Sequence, residues 1–413
     1  MQFLYAVGIR LYQLFILLVS PFNQKAASWI RGRKNWRSLL STQLKPREQR
    51  AWFHFASLGE FEQGRPVLEA FRRKNPAFKI VVTFFSPSGY EVRKDYPLAD
   101  YVFYLPTDTA GNARDFITAI SPEIAFFTKY EFWHFYFSEL GQRNIPLYIV
   151  SAIFRKEQLF FKPYGGFYRS ILRNVTHFFV QDSASAALLD SIGLHNYTLT
   201  GDTRFDRVLE NLQAAKPLPL IEDFAAGKPV FIAGSSWPED EAILAPLINS
   251  KQHPFRWIIA AHEIGAAHLQ QIENRLSVKH IRYSEALIKG TQDAEVLIID
   301  NIGMLLSLYA YARVAYIGGG FGKGIHNTLE AAASGIPIFF GPRYEKFKEA
   351  KDLIALGGAK SIRHSDELRE ELDFLEQHPE RYTEIAAIIH LYMEQSRGAT
   401  DTVMRQIAVP DQE

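Results

Sequence analysis

Residues 316–342 read YIGGGFGKGIHNTLEAAASGIPIFFGP. An apolar run breaks into Gly318, Gly319 and Gly320, His326 and Asn327 follow, an alanine-rich stretch carries Glu330, and a second apolar run ends in Gly-Pro. Strand, glycine loop, helix, strand is the repeating unit of a parallel sheet. The glycines fit neither the G-x-G-x-x-G register nor a Walker loop, since Gly322-Lys323 is followed by Gly324. What remains is a strand-to-helix loop whose glycine backbone can approach an anion closely. His326 and Asn327 are expected to cap a helix whose N-terminus is electropositive, a natural place for a phosphate. Glu330, one turn further, lies within reach of both. It could take hydrogen bonds from a ribose diol while the loop holds phosphate. A tight turn with a capping residue and a first-turn glutamate accounts for the same letters equally well.

The same alternation extends in both directions. Strands are predicted at 51–57, 79–86, 101–106, 123–129, 146–152, 177–182 and 197–202, then at 230–236, 256–262, 296–300, 314–320 and 336–342. Between 207 and 228 the pattern lapses into RVLENLQAAKPLPLIEDFAAGK, which predicts a linker. The expected organisation is a hydrophobic and basic segment at 1–47, a first domain at 48–206, the linker at 207–228, and a second domain at 229–413 whose last helix could pack back on the first. Both domains are expected to be doubly wound and Rossmann-like, facing a cleft. In such sheets ligands sit beyond the carboxyl ends of the strands. Four second-domain loops there carry polar groups: GSSWPEDE, HEIG, DNIG and GGGFGKGIHN.

The chain has 413 residues, is 47% hydrophobic and carries a net charge of +1, so no global charge points to nucleic acid. It has no cysteine, which excludes disulfides, thiol nucleophiles and zinc-thiolate sites. No His/Asp cluster has the sequence spacing of metal ligands, and no metal is expected. Charge is uneven: no Asp or Glu precedes Glu48, while eight Lys and Arg do. Residues 3–22 are apolar apart from Arg10 and Gln13, and five basic residues between 25 and 37 stand beside Trp29 and Trp36. This predicts a membrane anchor, spanning or lying in the interface, flanked by a surface for anionic lipid. A buried amphipathic helix with a solvated basic loop is the plainer reading. The aromatic and basic runs at 132–137 and 159–169 suit acyl chains and lipid phosphates, or equally a core.

Several segments, in order, resemble the 3-deoxy-D-manno-octulosonic acid (Kdo) transferases, glycosyltransferases of the GT-B type. FHFASLGEFEQGRPVLEAF resembles the family's H-x-x-S-x-G-E segment, TFFSPSGYE its T-x-x-x-P-x-G stretch, and YLPTDTAGNARDFITAISPEIAFFTKYEFWHF its Y-x-P-x-D and E-x-W segments. LTGDTRFD resembles G-N-x-K-F-D, IAGSSWPEDEAIL resembles A-G-S-T-x-x-x-E-E, and the glycine loop resembles the family's sugar-nucleotide loop. The chain departs from the pattern at Ala261, where the family has Arg before His262, and at Ile325, Arg204, Asp202 and Met304, where it has Gly, Lys, Asn and Glu.

The resemblance implies an inverting transfer of Kdo from CMP-Kdo to a lipid A precursor at the inner membrane, with the catalytic domains on the cytoplasmic side. It maps a general base onto Glu60, which follows a predicted strand at a Gly59 turn, and a substrate-holding carboxylate onto Glu131. Either could instead be an ordinary first-turn glutamate. For the CMP group it implies Ser235, Ser236, Arg204, His262, His326 and the Gly318–Gly320 backbone, with Asn327 and Glu330 on the ribose. No D-x-D stretch marks a metal-dependent donor loop. Another GT-B enzyme using a UDP- or GDP-sugar, a sugar-nucleotide epimerase and a membrane scaffold are the competing expectations.

Overall fold

The computed structural model describes residues 1–291 and 293–409. The chain forms two compact units, Met1–Arg207 together with the chain from Arg397 onward, and Val208–Ser396.

The first unit is built on seven parallel strands: β1 Arg50–Phe55, β2 Lys79–Phe84, β3 Tyr101–Tyr104, β4 Ile124–Thr128, β5 Leu147–Ala152, β6 His177–Val180 and β7 Tyr197–Leu199. Their order is β3-β2-β1-β4-β5-β6-β7. The chain winds outward from β1, then crosses back to start again at β4. This reversal leaves a crevice above the carboxyl ends of β1 and β4. The two strands pair in register, Ala51 with Ile124 through His54 with Phe127. Helices cover both faces, so the strands read as nearly continuous apolar runs. Phenylalanines fill the sheet: Phe53 stacks on Phe126 at 4.5 Å, and Trp52 packs edge-on against Phe127 at 5.0 Å.

The second unit has β8 Val230–Ser236, β9 Arg256–Ala261, β10 His280–Arg282, β11 Val296–Ile299, β12 Val314–Ile317, β13 Ile338–Phe340 and β14 Ala359–Ser361. Their order is β10-β11-β9-β8-β12-β13-β14, again all parallel, with the reversal between β8 and β12. β10 and β14 were not expected from sequence; each is three residues long on a sheet edge.

One segment differs from expectation. Residues 207–228 are not a plain linker: they hold the end of the helix Arg204–Gln213 and all of the helix Pro219–Ala225. Proline at the first helical position starts the latter, and its Ile221 and Phe224 are buried. The C-terminal helix Ala399–Gln406 belongs to the first unit. Val403 and Met404 join the core beside Phe71, and the Asp206 carboxylate accepts from the amides of Gly398 (2.6 Å) and Thr400 (2.7 Å).

At the N-terminus, helices α1 Gln2–Val19, α2 Gln24–Gly32 and α3 Trp36–Gln43 belong to the first unit. α1 is long and apolar enough to cross a membrane by length and composition. One stripe of it, including Tyr5, Ile9, Gln13 and Ile16, is half-covered, while Phe3, Leu4, Leu14, Phe15 and Leu18 are exposed. Tyr5 donates to the buried Asp108 carboxylate at 2.6 Å, and Gln13 donates to Thr107. Part of the basic flank is engaged within the first unit, while Lys25, Arg31 and Lys34 are exposed. Trp29 and Trp36 are buried, and the Arg33 guanidinium lies 3.9 Å over the Trp29 ring while donating to the carbonyls of Leu105 (2.8 Å) and Phe85 (2.6 Å). Arg37 pairs with Asp115 at 2.8 Å. In the 132–137 and 159–169 runs, Phe135, Tyr136, Phe137 and Phe160 are core residues, and Leu159 and Tyr164 are exposed.

Asp108 also accepts from the amides of Phe135 and Tyr136. Asp108→Ala is therefore expected to destabilise the first unit by ~3 kcal/mol, and Tyr5→Phe by ~1 kcal/mol. Urea unfolding of the detergent-solubilised protein, followed by tryptophan fluorescence, measures both; equal losses would show that the amide contacts carry nothing.

Candidate active site

Sequence-predicted residues gather at the two winding reversals. In the first unit, β1 ends at Phe55 and helix α4 Leu58–Lys74 begins three residues later. Ser57 is its N-cap; its Oγ accepts from the Glu60 amide at 3.5 Å, and Glu60 Oε2 reaches back to accept from the Ala56 amide at 2.7 Å. This reciprocal pattern resembles a capping box, so Glu60 does have the structural role that a first-turn glutamate implies. Its environment goes further. Glu60 is buried, and burial first, then the charge of Glu131, hold its carboxyl well above the usual range. Glu131 follows β4, and burial raises its carboxyl too. Lys129, between them in the chain and in the left-handed region at φ 62°, partly offsets the rise at Glu60.

His54 on β1 is fully buried, and desolvation holds its ring down at about 3, in the neutral form. Its Nδ1 bonds to Thr83 Oγ1 at 2.8 Å, and its Nε2 faces Glu131 at 3.8 Å. It belongs to the quoted H-x-x-S-x-G-E segment but was not singled out as a site residue. Arg204, expected at the donor phosphate, lies in the first unit and is paired with Asp202 at 2.8 Å; Asp202 also accepts from Gln63 at 2.8 Å.

In the second unit, Ser235 and Ser236 end β8, His262 follows β9, and the glycine loop follows β12. Ser235 holds a left-handed φ of 54° without being glycine, a costly conformation that clusters at functional sites. Ser236 is corrected: its hydroxyl is buried and donates to Glu241 at 2.9 Å, so it does not face a ligand. The glycine backbone is corrected in part. The Gly318 amide donates to Gly234 O (2.9 Å) and the Gly319 amide to Asp240 Oδ2 (2.8 Å), so neither is available to an anion. Among the described residues, the Gly320 amide makes no such bond. These glycines are needed for packing: a Cβ on Gly318 would meet Ser235 O at 2.1 Å, and one on Gly320 would meet the Gly341 Cα at 2.5 Å.

His326 and Asn327 are not at the N-cap position of the helix that follows. The helix is short, Leu329–Ala333, with Thr328 at its N-cap. Asn327 accepts from the Leu329 amide at 3.1 Å and donates to Glu330 Oε1 at 3.1 Å, which orients the Glu330 carboxylate. Two residues in the quoted GSSWPEDE loop were missed. Asp240 accepts from the Trp237 amide (2.9 Å), the Gly319 amide and the Tyr316 hydroxyl (2.8 Å), tying three elements together. Trp237 stacks on His262 at 4.8 Å, and His262 stacks on His326 at 4.3 Å. The loop's acidic letters gave no sign that one would turn inward to hold the glycines.

Away from these residues, His253, Asp373 and Glu376 come together, with their ligand atoms within 4.8 Å of one another. Sequence spacing does not reveal that group.

Residues 33–207 match the family model of 3-deoxy-D-manno-octulosonic-acid transferase. Over this stretch the chain is similar to the Kdo transferases. Transferases of that name from Chlamydophila psittaci and Bordetella pertussis are each 27% identical, over 352 and 333 residues, covering 80% and 75% of this chain and 78% and 75% of theirs. The enzyme is thus a glycosyltransferase of lipopolysaccharide biosynthesis. Solved structures with the same fold include the UDP-GlcNAc 2-epimerase of Neisseria meningitidis (TM-score 0.62, 16% identity, 86% of this chain and 99% of that one). The MurG protein of Acinetobacter baumannii also matches (TM-score 0.54, 13% identity, 87% and 99%). These likenesses establish the two-domain GT-B type of fold.

Glu60→Gln in the transferase keeps the acceptor for the Ala56 amide and removes the ionisable group. A carboxyl raised on folding stabilises the fold below its unfolded value and loses that contribution as pH climbs toward its folded value. The variant is therefore expected to match wild type near pH 5 and to exceed it by ~2 kcal/mol at pH 8. Urea unfolding at the two pH values tests this; a pH-independent difference would remove the carboxyl from a strained environment. Gly318→Ala should lose folded protein outright, by thermal unfolding, because the opposing atom is backbone.

Proposed function

We propose that the transferase moves Kdo from CMP-Kdo to a hydroxyl of a lipid A precursor, lipid IVA, with inversion at the anomeric carbon. The observation that carries the reading is the buried Glu60 carboxyl at the carboxyl end of β1, next to Glu131 at the winding reversal. As the acceptor oxygen bonds to the anomeric carbon, the bond from that carbon to the CMP phosphate breaks. The acceptor proton passes to Glu60, and CMP leaves with the bonding electrons. A base must be ionised to act, and a carboxyl raised toward neutrality accepts a hydroxyl proton more readily than an ordinary one. Glu131 holds acceptor or sugar hydroxyls beside it.

The second unit would bind CMP through His326, His262, Ser235 and the Gly320 amide, with Asn327 and Glu330 on the ribose. Asn327 bonded to Glu330 leaves a carboxylate oriented for a diol, which supports that assignment. Catalysis would need no bound metal, in keeping with the missing D-x-D stretch. The exposed apolar side of α1 would enter the cytoplasmic leaflet of the inner membrane and bring the first unit to its lipid acceptor.

The test is mass-spectrometric transfer, with freshly generated CMP-Kdo and tetraacyl lipid A precursor in detergent. A Kdo mass gain is expected from wild type and a fall of about 10²-fold or more in Glu60→Gln. The wild-type rate should fall as pH drops through the neutral range, because protonation of the raised carboxyl removes the base. EDTA should leave it unchanged. Gain with both proteins would remove Glu60 from the mechanism. No gain while CMP-Kdo survives would overturn the donor and acceptor and direct attention to UDP-sugars.

A further inference from the structure

We infer that Trp237 is a positioning residue that fixes which ring nitrogen of His326 carries the proton. An indole N–H donates and cannot accept. Trp237 Nε1 lies 2.9 Å from His326 Nε2, so Nε2 is the accepting nitrogen and the ring proton belongs on Nδ1.

The surrounding structure holds the ring in that pose. The Trp237 and His326 planes lie within 8° of parallel, and His262 stacks on both. The Nε2 edge of His326 faces the loop backbone closely enough that a Cβ on Gly319 would come within 3.3 Å of it. Turning the ring over would set Cε1–H against the indole N–H and break that bond. Asp240 sets the spacing from both ends, since it accepts from the backbone amides of Trp237 and of Gly319. Nδ1 is bonded to nothing among the described residues and is not enclosed, so it reaches solvent. The result is a neutral ring presenting one N–H in a fixed direction. Burial, then the neighbouring His262, hold His326 down at about 4, which keeps it neutral across ordinary working pH.

A fixed neutral N–H suits an anionic oxygen acceptor, a phosphate or carboxylate of an activated acidic sugar; this ligand assignment rests on the proposed function. Without the indole, the imidazole would be free to place its proton on Nε2 and present an acceptor where the ligand needs a donor.

Histidine-labelled full-length enzyme in detergent, observed by long-range ¹H–¹⁵N correlation, reads the tautomer directly. Wild type should show His326 protonated at Nδ1 alone. Trp237→Phe should shift it toward the Nε2–H form, with the histidines other than His262, which stacks on the indole, unchanged as a control for folding. In transfer assays the variant's KM for the sugar nucleotide should rise about tenfold with kcat changed by less than about twofold, the scale of one lost hydrogen bond. A His326 signal that stays protonated at Nδ1 in Trp237→Phe overturns the inference, as does a wild-type signal protonated at Nε2. The indole N–H gives an independent check: its resonance in wild type should move on His326→Ala, and an unmoved resonance overturns the bond. CMP added to wild type should perturb the Nδ1–H. If the tautomer is as inferred and CMP leaves it untouched, the positioning by Trp237 stands and the nucleotide reading of this loop falls.

Discussion

Parallel pairing throughout both sheets is the constraint from which the rest follows. A parallel strand cannot be reached by a hairpin, so each connection crosses a face of the sheet and covers it. Both faces are then buried, and the strands can be almost wholly apolar, as in Ala51–Phe55 and Ile232–Gly234. Because the chain winds first one way and then the other, neighbouring connections part company at β1/β4 and β8/β12. Polar groups can collect there without interrupting the core. Glu60 and Glu131 occupy one such place, and Ser235 and the glycine loop occupy the other.

Those places are held at some cost in stability. Two carboxyl groups share a buried environment in the first unit; burial raises both, and the charge of Glu131 raises Glu60 further. Ser235 and Lys129 both sit in left-handed backbone that glycine would adopt more easily. The glycine loop shows the opposite economy. Gly318 and Gly320 touch backbone where no side chain fits, and Asp240 takes up the Gly319 amide. Rigidity there comes from the protein's own bonds.

Much of this was legible in the letters because apolar runs, glycine turns and strand-end polar residues are local signals. The strands at 51–57, 79–86 and 314–320 and the turn before Glu60 needed no long-range information. β10 and β14 escaped because three-residue edge strands such as His280–Arg282 and Ala359–Ser361 carry no apolar run. Ser236 and Asp240 were misjudged or missed for a related reason. Nothing in GSSWPEDE distinguishes a hydroxyl that turns inward to Glu241 from one that faces outward, or a carboxylate that caps a helix from one that also binds a loop 79 residues away. The Pro219–Ala225 helix was hidden by prolines that read as linker when one of them in fact starts it.

α1 illustrates where composition stops and contacts decide. Its 18 residues rise about 27 Å at about 1.5 Å each, just short of the ~30 Å hydrocarbon core, so length leaves spanning and in-plane arrangements both open. The half-covered stripe runs from Tyr5 to Val19, nearly the full helix. A spanning helix would have to leave the first unit along that whole stripe, stripping Tyr5 from the buried Asp108 and Gln13 from Thr107. It would also carry Gln13 into hydrocarbon without its partner, an arrangement that lipid penalises. An in-plane helix keeps those bonds and still offers Phe3, Leu4, Leu14, Phe15 and Leu18 to acyl chains. The contacts therefore favour the interfacial arrangement within the proposed membrane reading, and they place the lipid-facing side on the same unit as Glu60.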